Sequence, residues 1–379
     1  MSAPTVLLTL GRLPKALDIA RSFSAAGWRV VVAEPFARHL TGASRHVAAS
    51  VAVRPPSEGK EAYLEDLLRV VRAEDVRLVL PVSEETLHVA GLHGRLPDGV
   101  RLFAPPPERL LPLHDKLAFT RLCTAWGVRA PETHPLGTAE AEALAARQDV
   151  VVKPVHSCGG RGFRLIRRGA PLPAESVPHV VQAFVPGRVY SSCGIAHAGR
   201  LVANAIYRGV MFAGSVATVF ERVTDAPRLE EWIARFVAAS GHTGFISFDL
   251  ILDEAGEPWG IECNPRVTSG VHFLRTGQIA PAILNGTPAA LREEARLQQF
   301  YSVLTALSGV MFRRGYVATL RTLLGTRDVT WSWRDPLPFL TMTWTTWPIL
   351  RLALQRRRPF GEVATLDLDW YEGERPASA

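Results

Sequence analysis

Runs of apolar residues alternate with amphipathic stretches through the first hundred positions. Thr5 to Leu10 is a buried-type strand, and Pro14 to Ala26 carries Ala16, Leu17, Ala20 and Phe23 on one helical face. Gly27 ends that helix, and Arg29 to Ala33 is the next strand. A helix from Lys60 to Glu74 leads into a strand at Arg77 to Pro81. Strands separated by helices of this length predict parallel βαβ units, the α/β class. The first strand is followed only by Gly11, in Gly11-Arg12-Leu13-Pro14, so no G-x-G-x-x-G fingerprint is present and neither NAD nor FAD is expected.

Ala104-Pro105-Pro106-Pro107 marks a boundary near residue 110. His114-Asp115-Lys116 then opens a helix through Trp126, and residues 139–147 form an Ala- and Glu-rich helix. Residues 149–265 are rich in β-signals, Leu291 to Ala306 reads as helical, and the remaining tail is aromatic and basic. The expected division is 1–112, 113–290 and 291–379, with the last segment helical at first.

Composition narrows the function classes. The 379 residues carry a net charge of +7, with 47% hydrophobic and 21% charged residues, an ordinary globular balance. The basic residues are scattered apart from Arg356-Arg357-Arg358, so no nucleic-acid partner is expected. Only Lys15, Lys60, Lys116 and Lys153 are lysines among 43 basic residues. The arginine excess reads as a codon bias of the genome, and a lysine kept against that bias is a candidate for a place where an ammonium is needed. Four cysteines without C-x-x-C spacing give neither a disulfide scaffold nor a zinc site, which fits a reduced, cytoplasmic setting. The longest uncharged run, Pro336 to Leu350, is too short for an integral membrane segment.

Three stretches carry chemistry. Val150-Val151-Val152-Lys153-Pro154 runs into His156 and the glycine-rich Cys158-Gly159-Gly160-Arg161-Gly162. An ammonium beside glycine amides suits a phosphate, although a plain glycine hairpin fits as well. Gly244 to Leu252 and Pro258 to Arg266 read as two strands around a four-residue turn. Pairing Leu252 with Glu257 puts Asp249 opposite Gly260, one diagonal step from Glu262, with Asn264 on the same face. Asp249, Glu262 and Asn264 are hard oxygen ligands suited to Mg²⁺, or else a solvated outer face. Val180 to Gly187, an apolar strand ending in a Pro-Gly turn, offers backbone groups to an adenine.

Taken in order, Asp115-Lys116, Val152-Lys153-Pro154, Gln182 to Gly187, Asp249 and Glu262-Cys263-Asn264-Pro265-Arg266 resemble the ATP-grasp superfamily over about residues 3–285. The resemblance implies a pre-ATP-grasp Rossmann-like N-terminal domain followed by a two-subdomain α+β ATP-grasp domain. It assigns ATP and Mg²⁺ as cofactors. Lys116 and Lys153 would contact phosphates, and Cys158, Gly159, Gly160 and Gly162 would close over them. Gln182, Ala183 and Phe184 would hold adenine. Asp249, Glu262 and Asn264 would bind the metal, and Arg266 would face the transferred phosphate, so that Arg266, Glu262 and Lys153 form the catalytic set. The hinge Arg188-Val189-Tyr190-Ser191 lacks the family's usual acid for the ribose.

The opening strands, Ser44-Arg45 and Leu80 to Glu85 further resemble stand-alone carboxylate–amine ligases of secondary metabolism. Trp333 to Phe339 faintly resembles the ligase that makes mycosporine-glycine, which implies an enolised ketone oxygen as the nucleophile. The expectation is an ATP-dependent ligase joining a small acid, or an enolisable ketone, to an amine with release of ADP and phosphate. Ser83, Glu84 and Glu85, at the carboxyl end of a strand, are substrate-site residues or else a helix cap with first-turn acids. His272 lines the acceptor site or sits on the surface. Two other classes remain: a non-catalytic nucleotide binder, and a protein docking on a membrane or partner through its aromatic-basic tail. Residues 331–360 hold too much aromatic area to leave in water, so they are expected to fold onto the ATP-grasp core or a homodimer partner and to border the acceptor site.

Overall fold

The computed structural model describes residues 3–156, 162–213, 216–299, 321–358 and 360–370, and elements are numbered among these. The first layer comprises β1 (Thr5–Leu8), α1 (Pro14–Ala25), β2 (Arg29–Glu34), β3 (Ala49–Ala52), α2 (Lys60–Ala73), β4 (Val76–Leu80), α3 (Thr86–Val89) and β5 (Arg101–Leu102). The strands form a parallel sheet in the order β3-β2-β1-β4-β5, a Rossmann-like arrangement with β1 at its centre. Its neighbours on both sides and helices on both faces explain why β1 is buried throughout and apolar from Val6 to Leu8. Two helices join this layer to the rest: α4 (Pro107–His114) and α5 (Lys116–Ala125). The proline run read as a boundary near residue 110 leads into α4, with Pro107 at the first helical position, where its missing N–H costs nothing. Asp115 caps α5, accepting from the amides of Leu117 and Ala118 at 2.8 Å each.

A small antiparallel sheet follows, in the order β6-β9-β7-β8, from β6 (Thr133–Pro135), β7 (Val150–Pro154), β8 (Arg164–Ile166) and β9 (His179–Ala183). Helix α6 (Ala139–Arg147) covers it by packing Ala141, Leu144 and Ala145 on Val150, Val152 and Val181. The large sheet, in the order β14-β13-β10-β11-β12-β15-β16, contains β10 (Gly187–His197), β11 (Arg200–Ala213), β12 (Val216–Arg222), β13 (Gly244–Asp253), β14 (Pro258–Asn264), β15 (Arg296–Gln298) and β16 (Arg327–Asp328). Helix α7 (Pro227–Ser240) lays Trp232 and Phe236 on Phe248 and Phe119. Helix α8 (Thr276–Asn285) packs on α1, and one continuous core joins the two layers there.

The C-terminal part departs from the expectations. Arg296–Gln298 is a strand, not part of a helix over 291–306, because the edge of β12 takes it up and buries Leu297. Helical propensity in the Leu-Arg-Glu-Glu-Ala-Arg stretch yields to that tertiary pairing. Residues 300–306 lie outside the described residues. The tail, with α9 (Leu337–Leu340), α10 (Met342–Arg356) and α11 (Phe360–Val363), docks on the N-terminal layer rather than on the ATP-grasp core. Met342, Ile349 and Phe360 cluster with Leu40, and Phe36 packs against them. Asp335 accepts from Arg21 Nε at 2.9 Å and Ser44 Oγ at 2.7 Å, while Asp367 takes both terminal nitrogens of buried Arg12. Among the described residues, no helix is long and apolar enough to cross a membrane.

Candidate active site

The hairpin of β13 and β14 carries the acids, but in a different register from the one expected. Leu252 pairs with Pro258 and Leu250 with Gly260, and then the register slips so that Asp249 faces Glu262 directly and Ser247 faces Asn264. Ile261 is the extra residue of this bulge, which leaves Asp249, Glu262 and Asn264 on one face. Gly260 is required beside it: a Cβ there would meet Trp232 of α7 at 2.3 Å. Ser191 Oγ donates to Asp249 Oδ1 at 2.6 Å, and Asn264 Nδ2 lies 3.3 Å from both Asp249 Oδ2 and Glu262 Oε1.

Two buried lysines converge on these acids from other elements. Lys116, at the start of α5, places Nζ 3.5 Å from Glu262 Oε2. Lys153, from β7, donates to the carbonyl of Ile261 at 3.2 Å, so the bulged residue is also the lysine's acceptor. Burial pushes the Lys153 ammonium down to about 8, against the pull of Glu262. Burial also raises Asp249, with Glu262 adding to the rise. Glu262 goes the other way: burial works against its charge, but Lys116 and Lys153 together outweigh it. Two carboxylates in direct cross-strand register repel, and the proton that Asp249 tends to hold marks missing positive charge at its end of the cluster.

A divalent cation fits that deficit. Among the described residues there is no cluster of three His, Cys, Asp or Glu, so the third oxygen would be an amide. The Asn264 amide presents its nitrogen to the acids and its oxygen to Arg266, so ligation by that oxygen takes a half-turn.

Arg266 links this cluster to the N-terminal layer. Its Nη2 donates to Asn264 Oδ1 at 3.0 Å and reaches Glu84 Oε1 at 2.5 Å. Glu84 therefore orients Arg266 across the junction. Ser83 accepts from Lys15 Nζ at 2.9 Å, and the same ammonium donates to the carbonyl of Val267 at 2.8 Å. Burial and the neighbouring Arg266 push Lys15 down to about 7. Glu85 is fully buried: one oxygen accepts from Thr9 Oγ1 and the amides of Val82 and Ser83, which shapes the loop rather than a substrate contact. His272 is neither a surface histidine nor open to an acceptor. It is buried against Asp18 of α1 at 2.7 Å, and Asp18 also pairs with Arg292.

Cys158, Gly159 and Gly160 lie outside the described residues. Gly162 has φ +74, and a Cβ there would meet the Pro154 ring at 2.9 Å, so a side chain is excluded twice over. The adenine segment is less open than expected. Gln182 is buried and donates to Thr133 Oγ1, while the amides of Ala183 and Phe184 bond the carbonyls of Glu132 and Asp149. The Phe184 ring at its end is partly exposed. Two residues were missed by the sequence reading. Lys15 sat at a polar position of an ordinary helix. His114, whose ring stacks on His156, is held down to about 4 by burial, with Lys116 and Arg266 adding to the effect.

A family model for the ATP-grasp domain matches residues 113–270. No curated protein matches the chain in sequence. Among solved structures, the fold is similar to biotin carboxylase from Campylobacter jejuni, at TM-score 0.56 and 18% identity over 70% of this chain; the match spans 66% of that chain, slightly under two thirds. It is similar to the L-amino acid ligase from Bacillus licheniformis at TM-score 0.59 and 18% identity, covering 75% of each chain. It is also similar to N5-carboxyaminoimidazole synthetase from Staphylococcus aureus, solved with ADP, at TM-score 0.60 and 12% identity over 77% of this chain and 80% of that one. Residues 113–270 are thus an ATP-grasp domain, with a Rossmann-like sheet ahead of it.

Proposed function

We propose that the protein joins a small-molecule acid, or an enolisable ketone, to an amine at the expense of ATP. The observation that carries this reading is the convergence of Lys116, Lys153 and Arg266 on the Asp249–Glu262–Asn264 face. Three cations around a carboxylate pair suit a polyanion that arrives with its own metal. Asp249 and Glu262 would hold Mg²⁺, with Asn264 after its half-turn, and the ion would neutralise phosphate charge.

An oxygen of the acid attacks the γ-phosphorus, the bond to ADP breaks, and an acyl (or enol) phosphate forms. Nitrogen of the amine then attacks the activated carbon, phosphate leaves as the new C–N bond forms, and the proton lost by the nitrogen goes to the departing phosphate. Lys116 and Lys153 neutralise phosphate oxygens from fixed, buried positions, at no reorganisation cost during the transfer. Arg266, oriented by Glu84, meets the moving phosphate. Lys15 ties Ser83 to the Val267 carbonyl, so the strand end and the Arg266 segment move as one unit.

The experiment combines purified protein, ATP and Mg²⁺ with pooled acids, ketones and amines, scored by ADP release and product mass. ADP release that requires both an acid (or ketone) and an amine, with a matching product mass, is the expected result. ATP binding without ADP release under any pool would make the chain a nucleotide binder instead.

A further inference from the structure

Helix α10 is mounted by one face and bare on the other. Met342, Thr345, Ile349 and Ala353 are buried against the N-terminal layer. The opposite positions recur every three or four residues: Trp344, Trp347, Arg351 and Leu354, preceded in α9 by Leu337 and Leu340. Trp344 is 60% exposed and Trp347 55% exposed, and Trp333 nearby is 86% exposed. The stripe runs for roughly 25 Å at helical rise. Apolar area of this kind on a folded surface marks a docking face.

Its charge selects the occupant. Between residues 331 and 358 the basic side chains are Arg334, Arg351, Arg356, Arg357 and Arg358, all exposed. The single acid of that segment, Asp335, is buried and consumed by Arg21 and Ser44. Arg38 adds a further cation, stacked 4.1 Å over the Trp344 ring. A second copy of the chain on a two-fold axis would bring this positive face against itself, whereas an anionic lipid surface complements it. Tryptophans and leucines beside clustered arginines are the composition that settles at the boundary of headgroups and acyl chains.

We propose that this face of α9 and α10 docks the protein on an anionic membrane surface, with Trp344, Trp347 and the leucines in the headgroup–acyl boundary and Arg356 to Arg358 on lipid phosphates. The tail is thus a peripheral anchor attached to the N-terminal layer, separate from the ATP site, and it confines the ligase to a lipid surface.

The test sediments the full-length chain with vesicles of phosphatidylcholine alone and of equal parts phosphatidylcholine and phosphatidylglycerol. Co-sedimentation with the anionic vesicles only, falling steeply with added salt, is expected. R356Q/R357Q/R358Q should lower partitioning by roughly a hundredfold, at about fivefold for each arginine near the surface. W344S/W347S, at exposed positions, should remove the blue shift of tryptophan emission on binding while leaving the melting curve and ATP-analogue affinity intact. Absence of sedimentation, or equal binding to neutral and anionic vesicles, overturns the proposal. So does a solution dimer that W344S/W347S dissociates, which would assign the face to a second copy.

Discussion

Glu262→Gln separates the two jobs assigned to that carboxylate. In the fold Glu262 is the counter-ion of Lys116 at 3.5 Å and draws on Lys153. At that distance and an effective dielectric of 20, the Lys116 pair alone has a gross Coulomb energy of about 5 kcal/mol. The net cost of removing one member of a buried pair is about 3–5 kcal/mol. Here it should fall at or below the lower end, because Lys153, already pushed down to about 8, can shed its proton instead of remaining an unpaired buried charge. The fold should therefore survive with a lowered urea midpoint.

The effect on nucleotide then depends on the metal. Without Mg²⁺, the variant should bind ATP at least as tightly as the parent, because Glu262 no longer competes with phosphate for Lys116. With Mg²⁺, it should lose the gain that the cation normally brings, and ADP formation should drop by at least about a hundredfold, equivalent to about 3 kcal/mol of transition-state charge stabilisation. Calorimetric titrations in EDTA and in Mg²⁺, together with ADP release, read all three quantities. Parent-like ADP formation, or a Mg²⁺ enhancement of binding equal to the parent's, would refute the assignment of Glu262 to the metal.

Other outcomes follow from the same geometry. Lys153→Ala should weaken ATP-analogue binding far more than Lys60→Ala, because Lys153 is buried against Ile261 while Lys60 stacks outside on Trp370; equal affinities in titration calorimetry would reduce the glycine loop to a turn. Truncation after Thr330 removes Asp335 and Asp367, leaves Arg21 and Arg12 short of a counter-ion and uncovers Leu40. The truncated chain should melt several degrees lower, yet still bind ATP analogues, and an unchanged melting temperature would contradict the docking of the tail. His88, His114 and His242 are each held down to about 4 by burial, so they stay neutral in the fold while the unfolded chain takes up protons near 6.5. Stability should fall as pH drops from about 6.5 towards 4, by up to roughly 1.4 kcal/mol per pH unit for each histidine. His242→Asn should flatten the dependence of the urea midpoint, and an identical slope would refute that share.

The parallel layer and the hairpin acids were legible because each rests on local periodicity. Val6 to Leu8 in β1 and Val30 to Ala33 in β2 are uninterrupted apolar runs, and Asp249, Glu262 and Asn264 share a face by strand parity alone. The direct pairing of Asp249 with Glu262 was not legible, since it depends on a bulge at Ile261 that no residue pattern around it announces. The bulge exists because two demands meet there: Gly260 must leave room for Trp232, and the next carbonyl must accept from Lys153. The strand at Arg296–Gln298 was hidden for a similar reason, as its sequence favours a helix and only the waiting edge of β12 makes it a strand.

Lysine scarcity proved the more general signal, and it extends further than the motif. Lys116 and Lys153 were picked out by neighbouring residues, but Lys15 had no motif and occupied a polar position in an ordinary amphipathic helix. In the fold it is buried at the same junction, between Ser83 and Val267 and near Arg266. Lys60, the remaining lysine, lies outside on Trp370. An arginine would fail at the three buried positions for a physical reason. Its planar fork needs several acceptors in one plane and keeps its charge when desolvated, whereas an ammonium satisfies one or two carbonyls and lets its proton affinity fall with burial. Lys15 and Lys153 do so, falling to about 7 and about 8. In a chain that otherwise uses arginine almost everywhere, three of the four lysines are buried around the junction of Arg266 with the Asp249–Glu262 pair, where a small cation of adjustable charge suits the proposed phosphate site.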